Sequence, residues 1–230
     1  MATEPISINR SNVRLSDDDV FSQYSERITA FCPFLEPAHN EGVLHQHIYQ
    51  LPSAHLAVLQ AEVFYLGVVH TERFRQQRYE LLSPKKALFC DNIVLVPHAD
   101  GSGEDGRALL AWPHYLLKTL YTKAGIMFGK FWKGEEEVSR KSVPIPPPPC
   151  HFLSIRSVVK ARDPYFFSKA PELLDDLVAS DDHGDNVHLQ IGLEQYNLDL
   201  YSVESMRSLN YYDTVLKWVK QHMNNGDITT

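Results

Sequence analysis

The hydrophobic and polar positions of this chain follow two periods, one helical and one typical of strands. After Pro52, apolar residues recur every three or four positions, which predicts a long helix with one stripe facing a core. That stripe consists of Leu56, Leu59, Val63, Leu66, His70 and Phe74. Shorter apolar runs, rich in β-branched and aromatic residues, predict strands. These runs cover residues 43–50, 88–96, 126–132 and 152–159.

Capping and turn residues set the ends of the predicted helices. Ser16, followed by three aspartates, begins a first helix, and the proline after Cys32 ends it. Gly125 ends a later helix in the position that glycine commonly takes. Further along the chain the pattern predicts a helix over 163–178, which begins at an Asp-Pro pair, a short strand over 187–193 and a last helix that Ser202 caps.

The order of these elements favours one α+β domain. The predicted order is helix, strand, helix, strand, helix, strand, strand, helix, strand, helix. We expect a flexible tail over 1–15 and a single domain over 16–230, with a mixed or antiparallel sheet covered on one face by helices. The strand–helix–strand–strand order of 88–159 is typical of part of a ferredoxin-like unit.

Charge and composition narrow the class of partner. The formal net charge is −7, whereas a nucleic-acid surface needs a basic stripe. No apolar run approaches the roughly 20 residues that span a bilayer, and the N-terminus lacks the apolar segment of a secretory signal. Three cysteines without a Cys-x-x-Cys pair argue against a disulfide framework and against a cysteine zinc site. We therefore expect a cytoplasmic protein that binds neither nucleic acid nor membrane.

Two histidines on one predicted strand are the sharpest local pair in a chain that has 11 histidines. His45 and His47 are two positions apart, so both imidazoles lie on the same side of a strand and could bind one metal ion or act in catalysis. A third ligand has to come from elsewhere in the chain. The candidates are His70, His98, His114 and Glu62. The alternative is a solvated strand face with two ordinary histidines.

His70 and His114 are candidates for binding a cofactor. His70 lies on the apolar stripe of the long helix, where an imidazole could be the axial ligand of a haem held without covalent attachment. His114 follows a Trp-Pro pair and has a similar status. The alternative for both is a histidine at the edge of the core that is hydrogen-bonded to a backbone carbonyl.

Arg156 is a charged residue inside the apolar strand over 152–159. An arginine on a half-buried strand needs a carboxylate or an anionic ligand. Asp163 could be that carboxylate, or Arg156 could bind the carboxylate or phosphate of a substrate, and the sequence leaves both alternatives open. Arg27, in the last turn of the first predicted helix, is the second candidate for binding an anionic substrate.

Four short motifs resemble a known family. They are Arg27 with Cys32-Pro33-Phe34, the run Gly125-Ile126-Met127-Phe128-Gly129-Lys130-Phe131, the run Phe152-Leu153-Ser154-Ile155-Arg156, and Asp163-Pro164-Tyr165-Phe166. Their order and spacing resemble a domain of unknown function that is found mostly in bacterial proteins, often beside biosynthetic genes. This chain departs from the family's pattern at Lys130, which replaces an acid, and at Trp132, which replaces a histidine. The resemblance implies no established activity.

The histidines together with the family setting predict a small enzyme of a specialised biosynthetic pathway. The first hypothesis is a haem- or iron-dependent oxidative tailoring enzyme that acts on a small carboxylate-bearing substrate. Two alternatives without such a cofactor stay open: a non-catalytic binding or interaction protein, and a cyclase or isomerase that uses histidine and a carboxylate as acid and base. Besides the small-molecule substrate, the expected partner is a second copy of the chain or a pathway enzyme.

Overall fold

A four-stranded mixed sheet organises the chain. The computed structural model describes residues 15–32, 35–80, 90–96, 105–139, 142–191 and 198–222. Its strands are β1 (Leu44–Gln50), β2 (Cys90–Val96), β3 (Ile126–Phe131), β4 (Glu137–Val138), β5 (Pro144–Ile145) and β6 (His151–Ser157). The four long strands lie in the order β1-β2-β6-β3, and β4 pairs with β5 in a separate two-stranded ribbon. The apolar runs of the sequence thus correspond to all four strands of the main sheet.

Helices connect and cover these strands. They are α1 (Leu15–Ile28), α2 (Leu35–Asn40), α3 (Leu56–Glu80), α4 (Gly106–Tyr121), α5 (Leu174–Val178), α6 (Val203–Ser208) and α7 (Tyr211–His222), with 3-10 turns at Asp163–Phe167, Pro171–Leu173 and Leu189–Ile191. The long helix α3 joins β1 to β2, and the two strands run parallel, as a helical crossover requires. Among the described residues, no helix has the length and apolar character needed to cross a membrane.

The second half of the sheet has the split β-α-β arrangement of a ferredoxin-like unit. Helix α4 connects β2 to β3, and β6 lies between these two strands, antiparallel to both. The position beside β2 is taken by β1, which precedes the unit in the chain and runs parallel to β2. The predicted α+β fold, including its ferredoxin-like part, is confirmed.

Both faces of the sheet are covered by helices. Helices α3 and α4 bury one face in the main core, and Gly67 permits their close approach because a Cβ there would collide with the side chain of Leu117. On the other face, α1 contributes Phe21 and Tyr24, whose rings pack on Phe152. The expectation of helices on one face therefore missed α1. Its apolar spacing predicts a helix without indicating which side of the sheet it covers.

Three predictions for the C-terminal part were wrong in detail. The helix expected over 163–178 is two 3-10 turns followed by the short α5, since Pro171 interrupts it. The strand expected over 187–193 is a 3-10 turn as far as Ile191, and residues 192–197 lie outside the described part of the chain. The last helix is divided into α6 and α7 at Asn210, which has a positive φ of 48°. The tail over 1–15 lies almost wholly outside the described residues.

Candidate metal centre

Three elements bring a carboxylate and two imidazoles together between the sheet and α3. Asp91 is the second residue of β2, and the parallel register places Tyr49 and His47 on the neighbouring strand β1. Side chains at alternate strand positions share a face, so His47 and Tyr49 both lie on the side that α3 covers. His70, in the middle of α3, lies directly over this pair of strands, and its ring centroid is 4.4 Å from that of His47.

Asp91 is the centre of the cluster. Its Oδ1 lies 3.1 Å from Nε2 of His47, and its Oδ2 lies 3.1 Å from Nδ1 of His70. The second ring nitrogen of His70, Nε2, is 2.6 Å from the hydroxyl of Tyr49. The four side chains therefore form one chain of contacts in the order His47, Asp91, His70, Tyr49.

The cluster is open on one side only. The side chains of His70 and Asp91 are 1% and 6% exposed, whereas that of His47 is 31% exposed. The difference follows from the fold, because β1 is an outer strand of the sheet and α3 covers the inner part of the cluster. A molecule from solvent would reach the cluster past His47.

The cluster holds a buried negative charge. Burial on its own raises the pKa of Asp91, but the neighbouring His47 and His70 outweigh that effect and hold the pKa well below its usual range. Burial lowers the pKa of His70, and Asp91 offsets this only in part, so His70 is neutral at pH 7. No lysine or arginine within the described residues forms an ion pair with Asp91. The imidazoles of His47 and His70, and not a fixed cation, therefore hold Asp91 ionised.

One oxygen of this carboxylate has no hydrogen-bond donor. Oδ1 of Asp91 is fully buried and is the only such side-chain atom among the described residues that lacks a partner. Nε2 of His47 lies 3.1 Å from it without forming a hydrogen bond. A buried polar atom without a partner calls for an explanation such as an ion.

The arrangement fits a single metal ion. One ligand atom from each of His47, His70 and Asp91 can be chosen so that all lie within 4.8 Å of one another. Two ligand atoms at about 2.1 Å from one ion are roughly 3.0–3.4 Å apart at octahedral or tetrahedral angles. The two His–Asp distances of 3.1 Å are of this size.

Of the two histidines predicted on β1, the cluster contains His47. His45 is the register partner of Asp91 on the neighbouring strand, and its backbone oxygen accepts a hydrogen bond from Asn92. Its ring is not one of the three groups that could share an ion. The structure brings His47 together with His70 and Asp91, and His45 is not part of this group.

Of the other proposed third ligands, the described residues place two away from the cluster. Glu62 accepts two hydrogen bonds of 2.8 Å each from Arg207. The Nε2 atom of His114, on α4, lies 3.1 Å from the backbone oxygen of Phe128. Burial together with the positive charges of Lys118 and Lys130 lowers the pKa of His114 to about 3. His98 lies outside the described part of the chain.

The two candidate arginines have protein partners. Arg156 donates two hydrogen bonds to the carboxylate of Asp163, at 2.9 and 2.7 Å, so the structure supplies the carboxylate that the sequence left as one of two alternatives. Arg27 is exposed in the last turn of α1, where its Nε donates to the backbone oxygen of Gln23 at 3.2 Å. Helix α1 covers the face of the sheet opposite the cluster.

Sequence reasoning missed Asp91 and Tyr49. Asp91 interrupts the most apolar predicted strand of the chain, and a charged residue in such a run is a signal of the same kind as Arg156. Tyr49 continues the alternation of His45 and His47 on one face of β1. The sequence around Asp91 or Tyr49 does not indicate which residues of other helices and strands their side chains contact.

A groove of about 260 Å³ lies apart from these residues, beside the ends of α3 and β6. It is lined by Arg78, Gly125, Ser157, Lys160, Ser180 and Asp182 among others. Its basic groups are engaged with the protein: Arg78 donates to Asp182 and to the backbone oxygen of Ala124, and Lys160 donates to that of Val178. Both basic side chains of the groove therefore have hydrogen-bond partners within the protein.

The fold and the side-chain geometry together define the class of protein, which is an α+β domain with a His–Asp–His cluster at one edge of its sheet. The chain belongs to the family described as a domain of unknown function, DUF6875, whose sequence profile matches residues 26–189, over two thirds of the chain. The expected membership of an uncharacterised domain family is confirmed, and all three residues of the cluster lie within the matched region. No curated protein and no solved structure matches the chain.

Proposed function

We propose that this protein is a mononuclear metal enzyme in which His47, His70 and Asp91 hold one divalent cation. The observation that carries the proposal is Oδ1 of Asp91, a buried carboxylate oxygen without a donor beside two imidazoles. A cation at this point would compensate the charge of Asp91 and give Oδ1 a partner. The three side chains are close enough to one another for all of them to bind the same ion.

The donor set favours iron as the metal. Two imidazoles and one carboxylate, with other positions free, are the ligand set of non-haem Fe(II) oxygenases. Iron bound there would supply oxidative chemistry, in line with the hypothesis of a tailoring enzyme for a small carboxylate-bearing substrate. His47 and Asp91 would hold the ion at the open edge of the sheet, and the helix α3 would shield the inner side from water. A substrate would approach past the half-exposed His47.

Haem fits the same residues less well. Both ring nitrogens of His70 already contact protein groups, Asp91 at 3.1 Å and Tyr49 at 2.6 Å. A haem iron on His70 would have to displace one of them. His114, the second candidate for a haem ligand, contacts the backbone oxygen of Phe128 through Nε2.

Metal titration tests the proposal. Protein stripped with a chelator is titrated with Co²⁺, whose visible absorption reports coordination, and then with Fe²⁺ without oxygen. We expect one equivalent to bind. His47→Ala and Asp91→Asn should weaken binding by more than the roughly 10–100-fold that loss of a residue supporting a ligand costs. His55→Ala removes an exposed histidine outside the cluster and is the matched control.

Binding that is weak and equal in all variants would overturn the metal proposal. If one equivalent binds, oxygen consumption by the Fe²⁺-loaded protein is then measured with a panel of small carboxylic acids. Turnover that Asp91→Asn abolishes is the expected result. Binding of one Fe²⁺ without oxygen consumption for any acid would leave a metal protein but contradict the oxidative role.

A second candidate function is acid–base catalysis without a cofactor, as in a cyclase or isomerase. The observation in its favour is the chain from Tyr49 through His70 to Asp91, in which a carboxylate orients an imidazole that contacts a phenol. Tyr49 and His70 are 7% and 1% exposed, so a substrate could not reach them without movement of the protein. Activity that survives complete removal of metal would favour this candidate.

A further inference from the structure

We propose that Tyr49 positions His70 for metal binding, and that metal uptake reverses the hydrogen bond between His70 and Tyr49 and replaces the one between His70 and Asp91. The inference rests on the proposed metal site. It assigns a role to a residue that is not itself a ligand. Its basis is that both ring nitrogens of a nearly fully buried histidine have partners of different chemistry, a carboxylate and a phenol.

The metal-free arrangement follows from the two contacts. A neutral imidazole carries one proton, so one ring nitrogen donates and the other accepts. The ionised carboxylate of Asp91 can only accept, which places the proton of His70 on Nδ1. Nε2 is then an acceptor, and the Tyr49 hydroxyl, 2.6 Å away, donates to it.

Metal binding requires the opposite tautomer. The ring nitrogen that faces Asp91 is Nδ1, and to bind an ion beside Asp91 it would have to offer a lone pair. The single proton of the neutral ring then resides on Nε2, and the N–H donates to the Tyr49 oxygen. The phenol keeps its own proton, so the ring exchanges one tautomer for the other and no net proton is released from His70 or Tyr49.

A hydroxyl is the group that serves both states, because it can donate as well as accept. The Tyr49 side chain is buried beside β2 and α3, so bulk water does not have free access to replace it. With phenylalanine at this position, the metal-bound ring would hold a buried N–H without an acceptor. Loss of such a partner weakens metal binding by about 10–100-fold.

The test combines affinity with the tautomer of the ring. Zn²⁺ is titrated into full-length wild type, Tyr49→Phe and Tyr115→Phe, and the ring nitrogens are followed by long-range ¹H–¹⁵N correlation spectra. Tyr115→Phe is the matched control, because this buried tyrosine also loses a hydrogen bond, to Glu172 at 2.7 Å, outside the cluster. Circular dichroism and thermal unfolding confirm that each variant folds.

We expect the proton of His70 to move from Nδ1 to Nε2 when Zn²⁺ binds to wild type. Tyr49→Phe should bind Zn²⁺ about 10–100-fold more weakly, and Tyr115→Phe should match wild type. Zn²⁺ bound by wild type without a change of tautomer, or with equal affinity in Tyr49→Phe, would overturn this inference and leave the metal site standing. No Zn²⁺ binding by wild type would overturn both.

Discussion

Two buried aspartates of this protein have opposite surroundings. Asp163 is fully buried, and its carboxylate accepts two hydrogen bonds from Arg156 and one of 2.6 Å from the backbone N–H of Val159. Asp91 is nearly as buried, yet it faces two histidines and keeps one oxygen without a donor. Both oxygens of the Asp163 carboxylate therefore have hydrogen-bond donors, whereas Oδ1 of Asp91 has none.

The comparison separates a structural charge from one available to a ligand. The pair of Arg156 and Asp163 joins the end of β6 to the turn that follows. Both oxygens of the Asp163 carboxylate accept hydrogen bonds from groups of the protein. Asp91 is held ionised by the two imidazoles beside it, and within the described residues it forms no ion pair with a lysine or arginine. Buried charges are normally paired or bind metals, and Asp91 is the one of the two that fits the second case.

The largest effect is expected from removing the paired aspartate. Asp163→Ala leaves the guanidinium of Arg156, whose side chain is only 15% exposed, without its carboxylate, and breaking a largely buried pair in this way costs about 3–5 kcal/mol in free energy of unfolding. Urea denaturation of the variant measures the loss. The double variant Arg156→Met, Asp163→Ala should recover part of it, since no unpaired charge remains. A loss below about 1 kcal/mol for the single variant would contradict the comparison.

An intermediate effect is expected at His114, which is half-buried and has a backbone partner but, among the described residues, no carboxylate partner. Its folded pKa of about 3 lies below that of an unfolded histidine, so the unfolded chain binds a proton that the folded protein does not. Stability from this group is complete above about pH 6.5 and is lost as the pH falls, by at most about 1.4 kcal/mol per pH unit.

The variant His114→Gln isolates this contribution from that of the other histidines. Its unfolding free energy, measured by denaturation between pH 7 and pH 5, should fall less steeply than that of wild type. Glutamine keeps a donor for the Phe128 oxygen without titrating in this range. Parallel curves for the two proteins would show that His114 does not have the environment described.

The smallest effect on stability is expected at Asp91. Asp91→Asn removes a buried charge that lacks a cation, and the amide oxygen still accepts from Nδ1 of His70. In metal-free protein we expect the free energy of unfolding to fall by about 1 kcal/mol, less than for Asp163→Ala, because the two histidines favour the ionised carboxylate while one of its oxygens has no donor. A loss as large as that of Asp163→Ala, measured in the same urea titration, would mean that Asp91 is as well paired as Asp163.

The same two aspartates show what sequence reasoning can reach. Asp163 follows Arg156 by seven residues, and an arginine in an apolar strand needs a carboxylate or an anionic ligand, so the pair is one of the two alternatives that the sequence indicates. The strands and the long helix also follow from local periodicity. These predictions depend on residues that are close in sequence, or on patterns within a single element.

The cluster around Asp91 depends on a parallel pairing between distant segments. His47 and Asp91 are 44 positions apart and meet because α3 crosses from β1 to β2 and sets their register. Strand patterns do not reveal which strands pair or in which direction, so the sequence groups His47 with His45 instead. The errors in the C-terminal helices have local causes, namely Pro171 and the positive φ of Asn210.

The most direct test of the metal centre is anomalous X-ray diffraction from crystals grown with Zn²⁺, recorded on both sides of the zinc absorption edge. The metal proposal predicts one strong anomalous peak at about 2.0–2.2 Å from a ring nitrogen of His47, Nδ1 of His70 and an oxygen of Asp91. Wild-type crystals that place zinc only at exposed side chains, with the three residues still in mutual contact and without an ion, would contradict it.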